Sequence, residues 1–253
     1  MKQHITGIKH FLKLNYRIED FTVDRFKEFL IDAKSRFVFS AFDNIPDEAH
    51  ILLRHDLDLS VSAGHEIAII EHEHGVSATY FVLLHSPFYN LIEAKSYKLI
   101  KEILELGHKI GLHFDSHFYN ISNEDELDEK ISFEKDFINN LFNIDIKVFS
   151  FHLTNNFTVK SRNFQYGNLI NAFSEMFQTK YEYCSDSFGI WRHKRLFDFM
   201  KNTNSNKLQI LIHPEWWIHD ASMPKDRIKN IIDQKVLELY QDADRNYIYK
   251  ENL

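Results

Sequence analysis

The sequence contains few of the residues that cross-link, bend or interrupt a chain: one cysteine, seven glycines and four prolines among 253 residues. The single Cys184 cannot form an internal disulfide, which fits a protein of a reducing compartment. The scarcity of glycine and proline excludes collagen-like, linker-rich and low-complexity chains. With 44% apolar and 26% charged residues the composition is that of a globular protein, and we expect one domain over residues 1–253.

Long apolar runs and an excess of basic residues are also missing. No run is long enough to cross a bilayer, and residues 1–14 mix lysine and histidine with apolar residues, unlike a signal peptide. We therefore expect a cytoplasmic protein without a membrane partner. The net charge of −7 argues against a nucleic-acid partner, which requires a basic face. The 15 histidines, by contrast, are many and suggest a metal site.

Short apolar segments alternate with amphipathic ones along the chain, which predicts a parallel β/α architecture. The predicted strands are residues 51–58, 78–84, 109–113, 147–152, 181–186 and 208–213. The predicted helices are residues 22–34, 63–74, 92–106, 123–142, 167–177, 195–201 and 225–241.

Nearly every predicted strand ends in a residue that can take part in chemistry. In a β/α barrel the carboxyl ends of all strands lie on one rim, where active sites are found. Strands also end wherever polar loops begin, but that alone predicts serine, asparagine, glycine and lysine about as often as histidine and aspartate. We therefore expect a functional rim formed by the residues at the strand ends: Asp56, Asp58, His85, His113, His152, Asp186 and His213.

The segment from Arg54 to Asp58 places two carboxylates on one side of a strand, because residues two positions apart point the same way. Asp56 and Asp58 would repel each other unless a cation lies between them or one of them binds a proton. A metal ligand beside a general base satisfies this condition. Equally, one aspartate can cap the following turn while the other pairs with Arg54, and this segment alone does not decide between the two.

His113 and His117 are spaced i and i+4, which on a helical turn lets two ring nitrogens bind one metal ion. With 15 histidines in the chain, about one such pair is expected by chance. The pair gains weight from its position after a strand, on the same rim as Asp58, and these three ligands would leave positions open for water and substrate. The metal-like segment 71–74, Glu-His-Glu-His, lies far from any strand end, and we interpret it as a solvated helix end.

His213 ends the last predicted strand and is followed by a proline, a glutamate and two tryptophans. This segment can combine a proton donor with an aromatic wall for a sugar ring. A histidine buried in the core is the alternative, but Pro214 ends the strand there and directs the loop away from the rim. Trp216 and Trp217 are each expected to pack in the core, although one of them can also contact substrate.

In chain order these motifs resemble the polysaccharide deacetylases (carbohydrate esterase family four), in particular a divergent branch with an Arg-His-Asp-x-Asp first motif. The resemblance extends from Ile51 to about Trp217. Its parts are residues 54–58, 78–81, 107–117, 151–152, 183–191 and 211–214.

The resemblance implies a distorted, parallel (β/α) barrel of about seven strands that hydrolyses an N-acetyl group with one divalent metal ion. The ion would be zinc, with iron and cobalt as alternatives. By motif position, Asp56 would be the general base and His213 the general acid, while Asp58, His113 and His117 would bind the metal. The residues expected to bind the substrate are Arg54, His152, Asp186, Trp191, Arg192 and Trp216.

The sequence also departs from the usual family pattern. A leucine separates the two aspartates of the first motif, and the fourth motif matches only in part. The Arg-Pro-Pro-Tyr third motif is replaced by the segment 151–154, Phe-His-Leu-Thr, so the arginine that orients the general base is absent there. The candidates to replace it are Arg54, His152 and Arg192.

Together these features predict a cytoplasmic, metal-dependent deacetylase of an N-acetylated sugar or polysaccharide precursor. Two alternatives stay open. In the first, the same metal site hydrolyses an amide that is not a sugar. In the second, the chain is a catalytically inactive sugar-binding relative, which the missing third motif favours and the intact Asp56 and His213 oppose.

Overall fold

The structure, a computed structural model, describes residues 17–248 of the chain. Residues 1–14, where we expect no signal peptide, lie outside this part. Within the described residues strands and helices alternate much as the sequence predicts. None of the helices among them has the length and apolar character needed to span a membrane.

Nine strands of the described residues form one sheet in the order β6-β7-β5-β4-β3-β2-β9-β8, with β1 beside the first residues of β2. All neighbouring strands run parallel except β6 and β7. The sheet curls into a half-barrel, so the predicted distorted, parallel (β/α) barrel is confirmed. The strands are β1 (Val38–Ser40), β2 (His50–Leu57), β3 (Thr79–Leu83), β4 (Lys109–Phe114), β5 (Val148–Phe151), β6 (Gln165–Tyr166), β7 (Leu169–Asn171), β8 (Glu182–Ser185) and β9 (Lys207–Ile212).

Seven α-helices are found in the described part of the chain. The first four begin where a polar side chain accepts a hydrogen bond from a backbone N–H of the first turn; these side chains belong to Thr22, Ser60, Glu93 and Asn123. The helices are α1 (Val23–Lys34), α2 (Val61–Glu73), α3 (Ala94–Glu105), α4 (Glu124–Phe142), α5 (Glu175–Lys180), α6 (Leu196–Asn202) and α7 (Pro224–Ala243). Short 3₁₀ turns cover Ile18–Asp20, Ser187–Gly189 and Pro214–Trp216, and a π-helical turn, Asp244–Ile248, follows α7.

The structure differs from the sequence prediction at residues 167–177, which do not form one helix. Gly167 and Asn168 have φ angles of 56° and 60° and connect β6 to β7 as a two-residue hairpin turn. Both positions require the left-handed region, which glycine and asparagine adopt most readily. The helix of this region, α5, therefore begins only at Glu175.

The two faces of the sheet are buried in different ways. The main hydrophobic core contains side chains of both the strands and the helices α1 to α4. A smaller cluster contains Leu52, Phe81, Val148, Ala172 and Phe177. Along β2, residues two positions apart point to the same side, so Leu52 shares its face with Arg54 and Asp56. The smaller cluster therefore lies beneath the charged residues at the carboxyl end of β2.

Candidate metal and catalytic site

A cavity of about 490 Å³ opens at the carboxyl ends of the parallel strands. This is where α/β architectures place their ligands, because the loops that follow the strands converge there. The volume is within the range of small-molecule sites. Seven of the residues that the sequence identifies line this cavity: Arg54, Asp56, Asp58, His113, His152, His213 and Trp216.

Three side chains in the cavity bring one potential metal donor each into close contact. The Nε2 of His113 lies 3.1 Å from Oδ1 of Asp58, and the Nδ1 of His152 lies 3.3 Å from the same oxygen. The two ring nitrogens are 3.3 Å apart. The three residues come from β4 and from the positions just after β2 and β5, so it is the parallel order of the strands that brings them together.

The spacing of these donors fits a tetrahedral divalent cation. With ligand distances near 2.0–2.2 Å, such an ion separates its ligands by about 3.3–3.6 Å, which is close to the three measured separations. Within the described residues, Oδ1 of Asp58 is buried and has no hydrogen-bond partner of good geometry. On the far side of the His113 ring, Nδ1 lies 2.8 Å from Oγ of Ser150, which orients Nε2 towards the group.

The charges of the donor group also suit a cation. Burial alone would raise the pKa of Asp58, but the close ring nitrogens of His113 and His152 and the charges of His113 and His213 hold it well below the usual range. Burial alone would lower the pKa of His152, but Asp58 outweighs this effect and raises it. A cation competes with a proton for His152, so binding should weaken as the pH falls.

The structure does not bring His117 into this group. Its side chain is 50% exposed, and its Nδ1 lies 3.4 Å from Oδ1 of Asp115. The i, i+4 spacing brings two rings to one face only on a helical turn, but β4 continues to Phe114 and a turn follows. In that turn the backbone N–H of His117 donates to Asp115, so the two histidine rings do not share one face. His152, which the sequence predicts as a substrate-binding residue, is the third residue of this group.

Arg54 holds the expected general base, Asp56. Its Nε donates to Oδ1 over 3.1 Å and its Nη2 to Oδ2 over 2.6 Å, and both side chains are buried. Burial alone would raise the pKa of Asp56, but Arg54, together with the neighbouring histidines, lowers it. Asp56 is therefore ionised and able to accept a proton. Of the three candidates for the missing orienting arginine, Arg54 is the one that makes this two-point contact.

The expected general acid, His213, is held by Asp186. Its Nδ1 donates to Oδ1 over 2.6 Å and its backbone N–H to Oδ2 over 2.9 Å. Burial alone would lower the pKa of His213, but the carboxylates around it, Asp186 first, raise it to about 10. Its other nitrogen, Nε2, lies 3.8 Å from Oδ2 of Asp58. The side chain therefore carries a proton at neutral pH, close to the donor group.

The remaining residues expected to bind substrate have different environments. Trp216 lines the cavity but is only 4% exposed. Trp191 stacks on Phe21, and its indole N–H donates to Asp20. Arg192 is exposed, with its guanidinium 5.1 Å from the ring centre of Phe188.

The cavity also has apolar lining residues for which the sequence predicts no role in binding. Leu153 and Phe188 are exposed, and Phe151, Phe173 and Phe177 are further apolar residues of the lining. Single apolar residues carry no local sequence signal for a binding role, because nothing in the pattern distinguishes them from packing residues.

No family model matches the chain, and no curated protein is similar to it in sequence. Solved structures do show likenesses. Peptidoglycan deacetylase PdaC from Bacillus subtilis has 16% identity and a TM-score of 0.46, with 81% of this chain and 100% of that chain covered. A family 4 carbohydrate esterase from Bacillus anthracis has 16% identity and a TM-score of 0.43, with 84% of this chain and 86% of that chain covered. A CE4 family pseudoenzyme from Bacillus anthracis has 13% identity and a TM-score of 0.41, with 77% of this chain and 63% of that chain covered.

Proposed function

We propose that the chain is a metal-dependent hydrolase that removes the N-acetyl group from an amino sugar or a polysaccharide precursor. The observation that carries this proposal is the close approach of the donors of Asp58, His113 and His152, at separations of 3.1–3.3 Å that suit a tetrahedral ion. An ionised carboxylate and a protonated histidine, Asp56 and His213, line the same cavity. Two histidines and one carboxylate with open positions form a donor set of catalytic zinc sites, so we expect zinc.

Hydrolysis of an amide needs a base for the attacking water and an acid for the leaving nitrogen. A divalent cation held by the three donors would supply a Lewis acid for the amide oxygen and lower the pKa of a water molecule. Asp56 accepts a proton from the attacking water molecule as the oxygen of that water forms a bond to the carbonyl carbon. His213 donates a proton to the nitrogen as the C–N bond breaks, which yields acetate and a free amine.

Two residues position this pair rather than react. Arg54 holds both oxygens of Asp56, so the base keeps one orientation and stays ionised. Asp186 binds Nδ1 of His213, which leaves Nε2 as the nitrogen that can reach a substrate. These contacts provide the pre-organisation that acid–base catalysis requires.

Substitution of the ligands tests the metal site. Asp58→Ala and His152→Ala should each weaken zinc binding more than about 100-fold, because even the loss of a residue that only hydrogen-bonds to a metal ligand costs about 10–100-fold. His117→Ala is the matched control and should bind zinc like the parent protein. Metal content after dialysis and the visible absorption of the cobalt-loaded protein measure metal binding in the parent protein and in all three variants. The reverse pattern, with zinc lost in His117→Ala and retained in His152→Ala, would overturn this ligand set.

Product analysis tests the reaction. Zinc-, iron- and cobalt-loaded protein should release acetate from oligomers of N-acetylglucosamine, and Asp56→Asn should bind zinc but release none.

The apolar lining by Phe151, Phe173 and Phe177 favours a second candidate, a non-sugar amide, over a strongly polar substrate. Release of acetate or ammonia from such amides, with the sugars inert, would select that candidate. Zinc binding without turnover of any amide would instead indicate an inactive protein.

A further inference from the structure

Two apolar residues of the cavity have a backbone conformation that their side chains disfavour. Leu153 has φ 47° and Phe188 has φ 58°, in the left-handed region, where the Cβ atom crowds the backbone. Asparagine tolerates this region far better than leucine or phenylalanine. Within residues 17–248 the non-glycine residues with positive φ are Arg17, Asn120, Asn143, Leu153, Asn168 and Phe188.

Packing in the core does not explain these two residues. Leu153 and Phe188 are both 55% exposed, so each presents about half of an apolar side chain to solvent. Both line the cavity that also contains Asp56 and His213. A left-handed backbone conformation is disfavoured for both residue types, and such strain is concentrated at functional sites.

The two residues approach the cavity from distant strands. Leu153 follows β5, directly after the metal donor His152, and Phe188 lies in the 3₁₀ turn after β8, close to Asp186. In the sheet, the strands β4, β3, β2 and β9 lie between β5 and β8. One residue therefore borders the donor group and the other borders the loop that carries the partner of His213.

We propose that Leu153 and Phe188 determine specificity by holding a flat, carbon-rich ring face of the substrate beside the reacting amide. A pyranose ring of an N-acetylated sugar has such a face, as does an aromatic ring. The identity of the reacting group rests on the proposed function above, whereas the ring contact concerns binding alone. Contact with the ring removes both exposed side chains from water, which stabilises the complex. On this proposal, the strained backbone conformations serve to place the two side chains where the ring binds.

Asparagine substitutions separate binding from folding. Leu153→Asn and Phe188→Asn remove the apolar surface while providing a residue that accepts positive φ. We expect melting temperatures within about 2 °C of the parent protein or higher. Phe188→Tyr and Leu153→Met, which keep the apolar surface, should bind ring ligands like the parent. Asn168→Gly, in the hairpin turn between β6 and β7, is a control for a change at positive φ elsewhere and should leave binding unchanged.

Calorimetry on the zinc-loaded full chain, with Asp56→Asn added to prevent turnover, measures binding. The probes are the β-1,4-linked trimer of N-acetylglucosamine, N-acetyltyramine and the ringless N-acetylethanolamine. Each asparagine variant should weaken binding of a ring probe about fivefold or more and leave N-acetylethanolamine unchanged. A loss for the trimer identifies a pyranose as the ring, and a loss for N-acetyltyramine alone identifies an aromatic amide.

The proposal is overturned if both variants bind the ring probes as the parent does, if the parent binds neither ring probe, or if the variants lose stability. The last result would show that the two side chains serve packing. Failure of the proposed function has a different signature. In that case the trimer would bind to the Asp56→Asn protein and would bind weakly once Leu153→Asn or Phe188→Asn is added. The protein that retains Asp56 would nevertheless release no acetate.

Discussion

The carboxylate of Asp186 determines both the position and the charge of His213. It is fully buried and accepts hydrogen bonds from the backbone and ring of His213 and from the indole of Trp217. Burial alone would favour the neutral imidazole, so the raised pKa of His213, about 10, depends on this negative charge. The proton then leaves only for a strongly basic acceptor, such as the nitrogen expelled from an amide.

Asp186→Asn should therefore change the pH dependence of the reaction. The charge that raises the pKa of His213 is removed while the burial that lowers it stays, so the pKa falls. Activity requires the protonated acid, and its alkaline limit should move to lower pH by about 1–3 units. The pH profile of kcat in the zinc-loaded protein measures this. Asp198→Asn, at an exposed ion pair, is the control, and an unchanged alkaline limit in Asp186→Asn would assign the acid role elsewhere.

At the residue scale the sequence predicts the site in part. Asp56, Asp58, His113 and His213 stand at or directly after strands, and parallel pairing suffices to bring such positions together. The choice between His117 and His152 depends on the direction of the chain after β4. That direction is set by the turn in which Asp115 binds the backbone of His117, and the spacing of histidines carries no information about it.

At the scale of secondary structure, apolar runs locate the central strands to within a residue or two, because parallel strands buried on both faces are nearly continuous in apolar residues. The sequence does not predict the short hairpin of β6 and β7, because its apolar residues also fit a helical spacing. The dipeptide Gly167-Asn168 is the signal for this turn, since both residues tolerate its left-handed conformation.

Gly167→Ala tests the role of this turn. A Cβ at residue 167 would lie 2.6 Å from the backbone nitrogen of Ser132 in α4, and φ is 56° there. Strain and overpacking should together lower the free energy of unfolding by about 2–4 kcal/mol. Urea denaturation measures this, with Asn168→Gly as the neighbouring control and an expected change within about 0.5 kcal/mol. A Gly167→Ala variant as stable as the parent would show that the hairpin can move away from α4.

At the scale of the whole molecule, buried polar side chains join parts of the chain that the sequence cannot pair. Glu71 is an example, since the prediction of a solvated helix end is wrong for this residue. It is fully buried in α2 and bonds Tyr80 of β3 over 2.6 Å and His55 of β2 over 2.7 Å. Such contacts join residues of different strands and helices that only the tertiary structure brings together, so a local sequence pattern cannot reveal them.

A second polar network fastens the beginning of the described chain to the loop after β8. Asp20 accepts two hydrogen bonds from Arg195, over 2.6 and 2.7 Å, and one from the indole of Trp191. Asp20 is 5% exposed. The strand β8 lies at one end of the sheet order, with only β9 as its neighbour in that order. The network therefore supports the loop that begins with Asp186, at a place where the sheet provides little support.

Asp20→Ala should lower the free energy of unfolding by about 2–4 kcal/mol, because it leaves the donors of Arg195 and Trp191 without their acceptor in a largely buried place. For a protein of this size the melting temperature should fall by about 5–15 °C. Glu175→Gln, which breaks an exposed ion pair with Arg162, is the control and should change stability by less than about 0.5 kcal/mol. Calorimetric melting of both variants makes the comparison. Equal small effects would mean that the loop after β8 is held by the stacking of Trp191 on Phe21 and not by the Asp20 carboxylate.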